Sequence, residues 1–268
     1  MISKKKILQK WSIAFKVIPF LFLIVVLKLT LHWLGYEVLE LNTLFTSLVA
    51  GTIFIIGFLV SGVLSDYKES EKLPSELSSC INALYDDIFT IYKSKHSEAA
   101  RQFLDFHYLF TTSIIDWFYK KEKTKSILIN IHKMNEFIIG MDLEGIQPNY
   151  IIKMKNEQNA LRKIFLRIDT IRDTEFISSA YAIVEFMGLL IALSMMIIKI
   201  QPFSAALFFT LLITFLISYM VLLIKDLDNP FDYLAKGETG TEISLKPLHD
   251  LEREIAYKNE TRIEYPVF

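Results

Sequence analysis

Four long apolar runs interrupt the chain, at residues 13–34, 41–64, 176–198 and 203–224. Each contains about 20 residues or more, which is the length that an α-helix needs to cross the hydrocarbon core of a bilayer. A backbone in lipid must satisfy its own hydrogen bonds, so such runs are expected to be helical. The pattern therefore predicts four transmembrane helices, which we call spans one to four.

Between spans two and three the pattern becomes amphipathic. Apolar residues recur at every third or fourth position, which predicts helices with one buried face. The predicted buried positions are Leu77, Ile81, Leu84, Ile88, Ile91, Phe103, Phe106, Phe110, Ile114, Ile151, Met154, Ala160, Ile164 and Ile168. No breaker separates Arg172 from Phe176, so the last of these helices is expected to continue into span three.

The sequence thus predicts an all-α membrane protein with a helical domain outside the membrane. The predicted divisions are a basic N-terminus (1–10), spans one and two (11–64), a cytoplasmic helical domain (65–175), spans three and four (176–225) and a cytoplasmic C-terminal tail (226–268).

Lysines and arginines near the spans predict the orientation, because basic residues are retained on the cytoplasmic side. The loop 35–41 has no basic residue and contains Glu37 and Glu40, and the loop between spans three and four is only 199–202. The basic residues on the other side are Lys4, Lys5, Lys6, Lys10, Lys68, Lys72, Lys163, Arg167, Arg172, Lys225 and Lys236. Both termini and the 65–175 segment are therefore predicted to be cytoplasmic.

Composition agrees with a hybrid of membrane and water-facing parts. The chain is 52% hydrophobic and 22% charged, which is more apolar than an ordinary soluble domain. Its net charge is −1, from 29 basic and 30 acidic residues, so no general field attracts nucleic acid. The single cysteine, Cys80, cannot form an internal disulfide.

Motifs of enzyme chemistry are missing from the sequence. It contains no dinucleotide or phosphate loop, no nucleophile elbow and no zinc-protease helix. The histidines lack metal-ligand spacing and are interpreted as solvated or capping side chains; they are His32, His96, His107, His132 and His249. We therefore predict no catalytic residue, no metal site and no cofactor, and a protein that is not an enzyme.

Span two carries a stripe of small polar residues interrupted by two phenylalanines. In chain order the stripe is Ser47, Ala50, Phe54, Phe58, Ser61 and Ser65, and Asp66 and Glu69 follow it. Phe54 and Phe58 are four residues apart and share a helix face. Two interpretations are open. One is an apolar constriction between wider vestibules; the other is aromatic rings facing lipid beside a helix-packing seam of small residues, namely Gly57, Ser61, Gly62 and Ser65.

Three segments resemble the bestrophin family and its bacterial bestrophin-like relatives. The stretch F-x-x-G-F-x-V-S-x-V at 54–63 resembles the family's second span, and Asn229-Pro230-Phe231 resembles the N-P-F that follows its last span. Trp11-Ser12-Ile13, at the entrance to span one, is a weaker match. The order of four spans with a helical insert between the second and third also agrees.

The resemblance implies an ion channel of five copies of the chain in a bacterial inner membrane, with membrane lipid and small inorganic ions as further partners. Ala50, Phe54 and Phe58 would form its apolar neck, and Ser47, Ser61 and Ser65 would line the pore beside it. The family implies anions. Acidic rings favour cations, however, so the inner-mouth residues Asp66 and Glu69 leave cations open.

The dense acidic run that binds calcium in animal bestrophins is not present after span four. Only Asp226, Asp228, Asp232 and Glu238 are nearby, whereas calcium takes six to eight oxygen ligands. A strong response to calcium is therefore not expected.

Two charged positions lie inside the predicted spans. Lys28 is expected to snorkel to the external interface. Glu185 lies deeper in span three and should face a partner or water, in either a functional or a structural role. Two rivals to the channel stay open: a non-conducting membrane scaffold with a cytoplasmic docking bundle, and a proton-coupled transporter that uses Glu185.

Overall fold

The computed structural model describes residues 11–173, 178–233 and 241–261. Within these ranges the chain forms helices and one very short parallel strand pair. The helices are α1 (Ser12–Trp33), α2 (Thr43–Ser70), α3 (Leu73–Lys95), α4 (Glu98–Phe118), α5 (Thr124–Leu143), α6 (Pro148–Asp173), α7 (Ser178–Ile197), α8 (Phe203–Asp228) and α9 (Lys246–Thr261). The strands are β1 (Leu39–Glu40) and β2 (Ile198–Lys199), paired Leu39 to Ile198. The predicted all-α class is confirmed.

The chain divides into two compact units. The first contains α1, most of α2, α7 and α8, and the second contains α3 to α6 and α9. The four helices of the first unit are long and apolar enough to cross a membrane. The four predicted spans are therefore confirmed, and the protein is an integral membrane protein.

The first unit has a core between α2, α7 and α8. Ile56, Leu59 and Val63 of α2 pack in one cluster with residues of the other two helices, among them Ile191. Gly188 permits the close approach of α7 and α8, because a Cβ at this position would lie 2.9 Å from Cγ2 of Ile217.

Each helix of the second unit has a buried apolar face, although apolar side chains elsewhere in this unit, such as Leu143, are exposed. The predicted stripes of α3 and α4 are buried, except that Phe106 is partly exposed. His96 ends α3 in the left-handed conformation with φ of 52°, and the Ser97 side chain caps α4 by accepting a hydrogen bond from the Ala100 amide at 3.0 Å.

The buried face of α6 differs from the predicted one. The fully buried positions are Met154, Gln158, Leu161, Phe165 and Ile168, whereas the predicted Ile151, Ala160 and Ile164 are only partly buried. The polar Gln158 interrupts the apolar pattern, so the sequence did not indicate this face. Gln158 can be buried because its side-chain amide donates a hydrogen bond to the Ile131 carbonyl at 2.6 Å. The predicted continuation of α6 into span three involves residues 174–177, which lie outside the described residues.

His107 is a correction to the sequence interpretation. It is not solvated or capping but fully buried in α4, with its ring edge-on to Tyr85 at 5.7 Å between centroids. Burial lowers the pKa of His107 to about 4, because the cationic form would lose its hydration.

Candidate pore-lining face and intramembrane charges

Helix α2 presents two different faces. Ile56, Leu59 and Val63 point into the core of the first unit and are at most 8% exposed. Phe54 and Phe58 lie on the opposite side and are 75% and 73% exposed. The two phenylalanines therefore contribute little to packing within the part of the chain that the structure describes.

The rest of the predicted stripe shares this exposed face. Ser47, Ala50, Ser61, Ser65, Asp66 and Glu69 are all exposed. With the two phenylalanines included, successive residues from Ser47 to Ser65 are three or four apart, and Glu69 is four residues after Ser65. The face therefore runs from small residues through the two rings to small residues and then to acids, with Asp66 directly after Ser65. Glu69 forms an ion pair with Arg167 of α6, with 3.1 Å between Oε1 and the guanidinium nitrogen.

Two glycines of α2 have no packing reason among the described residues. A Cβ added to Gly51 or Gly57 would meet no described atom within 4 Å, and both residues are exposed. Glycine costs about 1 kcal/mol relative to alanine in a helix interior. At Gly57, therefore, no helix in the described part of the chain packs against the seam of small residues that the sequence suggested.

The last residue of the motif after span four packs in the second unit. Asn229 follows the end of α8, and Phe231 is fully buried, with its ring 5.9 Å from that of Phe118. Tyr233 also contacts Phe118 edge-on and donates a hydrogen bond from its hydroxyl to the Ile243 carbonyl at 2.8 Å. Pro230, between Asn229 and Phe231, is buried.

The acidic residues near this motif are engaged separately. Asp226 accepts a hydrogen bond from the Thr241 hydroxyl at 2.8 Å, and Asp232 forms an ion pair with Lys120 at 2.9 Å. Glu238 lies outside the described residues. Among the residues that are described, no group of three or more His, Cys, Asp or Glu side chains is arranged to hold a metal ion.

Glu185 has a charged partner, as expected for a carboxylate inside a span. It forms an ion pair with Lys225 of α8, and each side chain is about half exposed. The Lys225 side chain extends from near the end of span four to reach a carboxylate well inside span three. The pair joins two neighbouring helices, as expected if the role of Glu185 is structural.

Lys28 is a second correction. It does not reach water but is fully buried, and its Nζ lies 2.7 Å from Oε1 of Glu37. It also donates to the carbonyl of Ile198 at 2.8 Å and that of Met196 at 3.2 Å. The lysine thus ties α1 to the end of α7 and to the loop before α2.

His32 extends this cluster. Its Nδ1 lies 2.8 Å from Oε2 of Glu37, and its ring stacks on Phe203 with 3.8 Å between centroids. Sequence reasoning missed the cluster because Glu37 is nine residues from Lys28, beyond the end of the helix. One feature of the sequence could have indicated the pair: span one contains a lysine, and the loop directly after it contains the acidic Glu37.

Comparison with known proteins identifies the fold. No protein-family model matches the chain, and no curated protein sequence matches it. A bacterial bestrophin homologue from Klebsiella pneumoniae, solved by zinc SAD phasing, is 15% identical over 91% of this chain and 98% of its own, with a TM-score of 0.75. A point mutant of that homologue is 16% identical over 91% and 99%, also with a TM-score of 0.75. The resemblance indicated by the sequence motifs is therefore confirmed at the level of the fold.

Proposed function

We propose that this protein, whose fold is that of the bacterial bestrophin homologues, is an oligomeric ion channel with an apolar neck lined by α2. The observation that carries the proposal is the exposed face of α2, where Phe54 and Phe58 are about three-quarters exposed while the opposite face is packed. One helix cannot enclose a pore, so several copies must place this face around a common axis. The resemblance implies five copies.

The order of side chains along this face suits a hydrophobic gate. Rings at Phe54 and Phe58 would narrow the pore, and Ser47, Ala50 and Ser61 would leave it wider on either side. An apolar constriction blocks ions by losing its water, and it conducts when the helices separate enough to rewet it. Gly51 and Gly57 would allow adjacent copies of α2 to approach closely.

The ion's charge sign would be set by groups beside the neck. Asp66 and Glu69 form the acidic end of the face, and acidic rings favour cations. Arg167 neutralises part of this charge through its ion pair with Glu69. Because this ion pair reduces the negative charge, we propose that anions pass, as the family resemblance implies. Reversal potentials in a chloride gradient test this directly.

We further propose that both termini and the second unit lie in the cytoplasm, because basic residues flank the spans on that side. Val38 and Leu143 are 71% and 83% exposed and suit single-cysteine labelling from outside the cell. Val38→Cys should react with an impermeant maleimide and Leu143→Cys should not; the reverse pattern contradicts this topology. The native thiol should add little background, because burial of Cys80 raises its pKa to about 12.

The decisive experiment measures current through the full-length protein in liposomes. Phe58→Ser should wet the neck and raise conductance. Phe22→Ser is the matched control, since Phe22 is 70% exposed on α1 rather than on α2. Unchanged current in Phe58→Ser, or an equal increase in both variants, contradicts the proposed neck. A protein that carries no current in any variant is instead a scaffold.

A further inference from the structure

The first unit contains a crevice between α1, α7 and α8. Its volume is about 310 Å³, which falls within the range of small-molecule pockets. Most of its wall is apolar and includes Val17, Phe20, Ala192 and Ile217. All three helices are predicted spans, so the surrounding medium is lipid.

The charges at the crevice are not balanced. Lys16 and Glu185 both line it, and Lys225 is ion-paired to Glu185. Among the described residues, the two lining charges and Lys225, which reaches the crevice through Glu185, give this end of the crevice a net charge of +1. Lys16 lies four residues after the start of α1 and Lys225 three residues before the end of α8, so the charges are near the level where lipid head groups begin.

A buried hydroxyl group marks the deeper part of the same crevice. Thr214 lines it and is only 2% exposed. Among the described residues, none forms a hydrogen bond with its Oγ1. A buried hydroxyl without a partner destabilises a protein, and a ligand oxygen that accepts its hydrogen bond would remove that cost.

We propose that this crevice binds an anionic phospholipid. The phosphate would lie between Lys16 and Lys225, and an acyl chain would follow the apolar wall past Phe20 and Ala192. An ester carbonyl would accept the hydrogen bond of Thr214 Oγ1. Net positive charge beside an apolar cleft between transmembrane helices is the arrangement that selects anionic over zwitterionic head groups.

The test uses full-length protein in detergent and counts bound lipid by native mass spectrometry. Dioleoylphosphatidylglycerol should bind about fivefold more tightly than dioleoylphosphatidylcholine, as expected for one uncompensated cation. Lys16→Gln should abolish that preference. Lys199→Gln, an equal change of charge at the opposite end of α7, should leave it intact.

A second variant tests the hydroxyl group. Thr214→Val keeps the shape and removes Oγ1, so it should weaken binding of the ester lipid severalfold and leave an ether-linked phosphatidylglycerol unaffected. Ser218→Leu should reduce binding of both lipids by filling the crevice, and the thermal midpoint of each variant reports whether it is folded.

Three results would overturn the proposal. They are equal binding of the two head groups, a preference that survives Lys16→Gln, and sodium oleate binding as tightly as phosphatidylglycerol, which would assign the site to free fatty acids. Absence of bound lipid would indicate that another copy of the chain covers the crevice, and this also overturns it. None of these measurements uses current, so the channel proposal stands or falls separately.

Discussion

The two units of this protein differ in which side chains they bury and which they expose. In the second unit, Leu77, Ile81 and Leu84 on one face of α3 are completely buried. In the first unit, Phe54 is 75% exposed and Lys28 is not exposed at all. The second unit thus has buried apolar stripes, whereas the first exposes apolar rings and buries a charge.

The difference shows what holds each region together. Exclusion of apolar surface from water stabilises the second unit. Helices in lipid have no such driving force between them and associate through close packing and polar contacts. The Lys28–Glu37 and Glu185–Lys225 pairs and the close approach at Gly188 are contacts of this kind. Removing them should therefore damage the first unit more than removing an exposed phenylalanine would.

The largest expected effect comes from the partner of the buried lysine. Glu37→Gln leaves the Lys28 ammonium group buried without an opposite charge, which should lower the free energy of unfolding by about 3–5 kcal/mol. Chemical denaturation of the detergent-solubilised protein measures this loss. Glu40→Gln is the matched control, because Glu40 lies in the same segment between α1 and α2 and is exposed. Equal stability of the two variants would show that the buried pair is not what joins α1 to its neighbours.

A smaller effect concerns the buried core of the second unit, where His107 lies. His107 has a pKa of about 4 when folded and its ordinary value of about 6.5 when unfolded, so the unfolded state takes up its proton first. The contribution of His107 to the free energy of unfolding is complete above pH 6.5. It amounts to about 3 kcal/mol and is lost as the pH falls through 4.

His107→Leu should remove this part of the acid sensitivity, and His132→Leu should not, because His132 is exposed. Unfolding midpoints at pH 7.5 and pH 4.5 make the comparison. If the wild type and His107→Leu lose the same stability between these pH values, the burial assigned to the ring is wrong.

The smallest effect separates the two kinds of glycine in the membrane helices. Gly188→Ala brings a Cβ against Ile217 and should destabilise the first unit by about 1–3 kcal/mol. Gly57→Ala places its Cβ more than 4 Å from other groups in the described ranges and should leave subunit stability equal or slightly higher.

The oligomer gives the complementary measurement for Gly57→Ala. If the exposed face of α2 lies against other copies, size-exclusion chromatography with light scattering should show a weakened assembly. An oligomer that is unaffected by Gly57→Ala would remove the reason proposed for that glycine.

Much of the candidate site could be predicted from spacing alone. A separation of four placed Phe54 and Phe58 on one face, and the structure keeps Ser47, Ala50, Ser61 and Ser65 on it. The partners of charged residues could not be predicted in this way. Lys225 reaches Glu185 from another helix, and Glu37 reaches Lys28 from a loop, so neither pairing follows from helical spacing.

The sequence by itself determined the four spans, the all-α class and the buried faces of α3 and α4, because each depends on local length or periodicity. The tertiary structure decided which face of each span packs, since nearly every face of an apolar helix is compatible with lipid. It also decided which face of α6 is buried. Gln158 interrupts the apolar pattern of that face, and its burial depends on a hydrogen bond to the Ile131 carbonyl of another helix. Local pattern reports what a residue prefers, whereas a hydrogen bond or ion pair between distant segments exists only once the chain has folded.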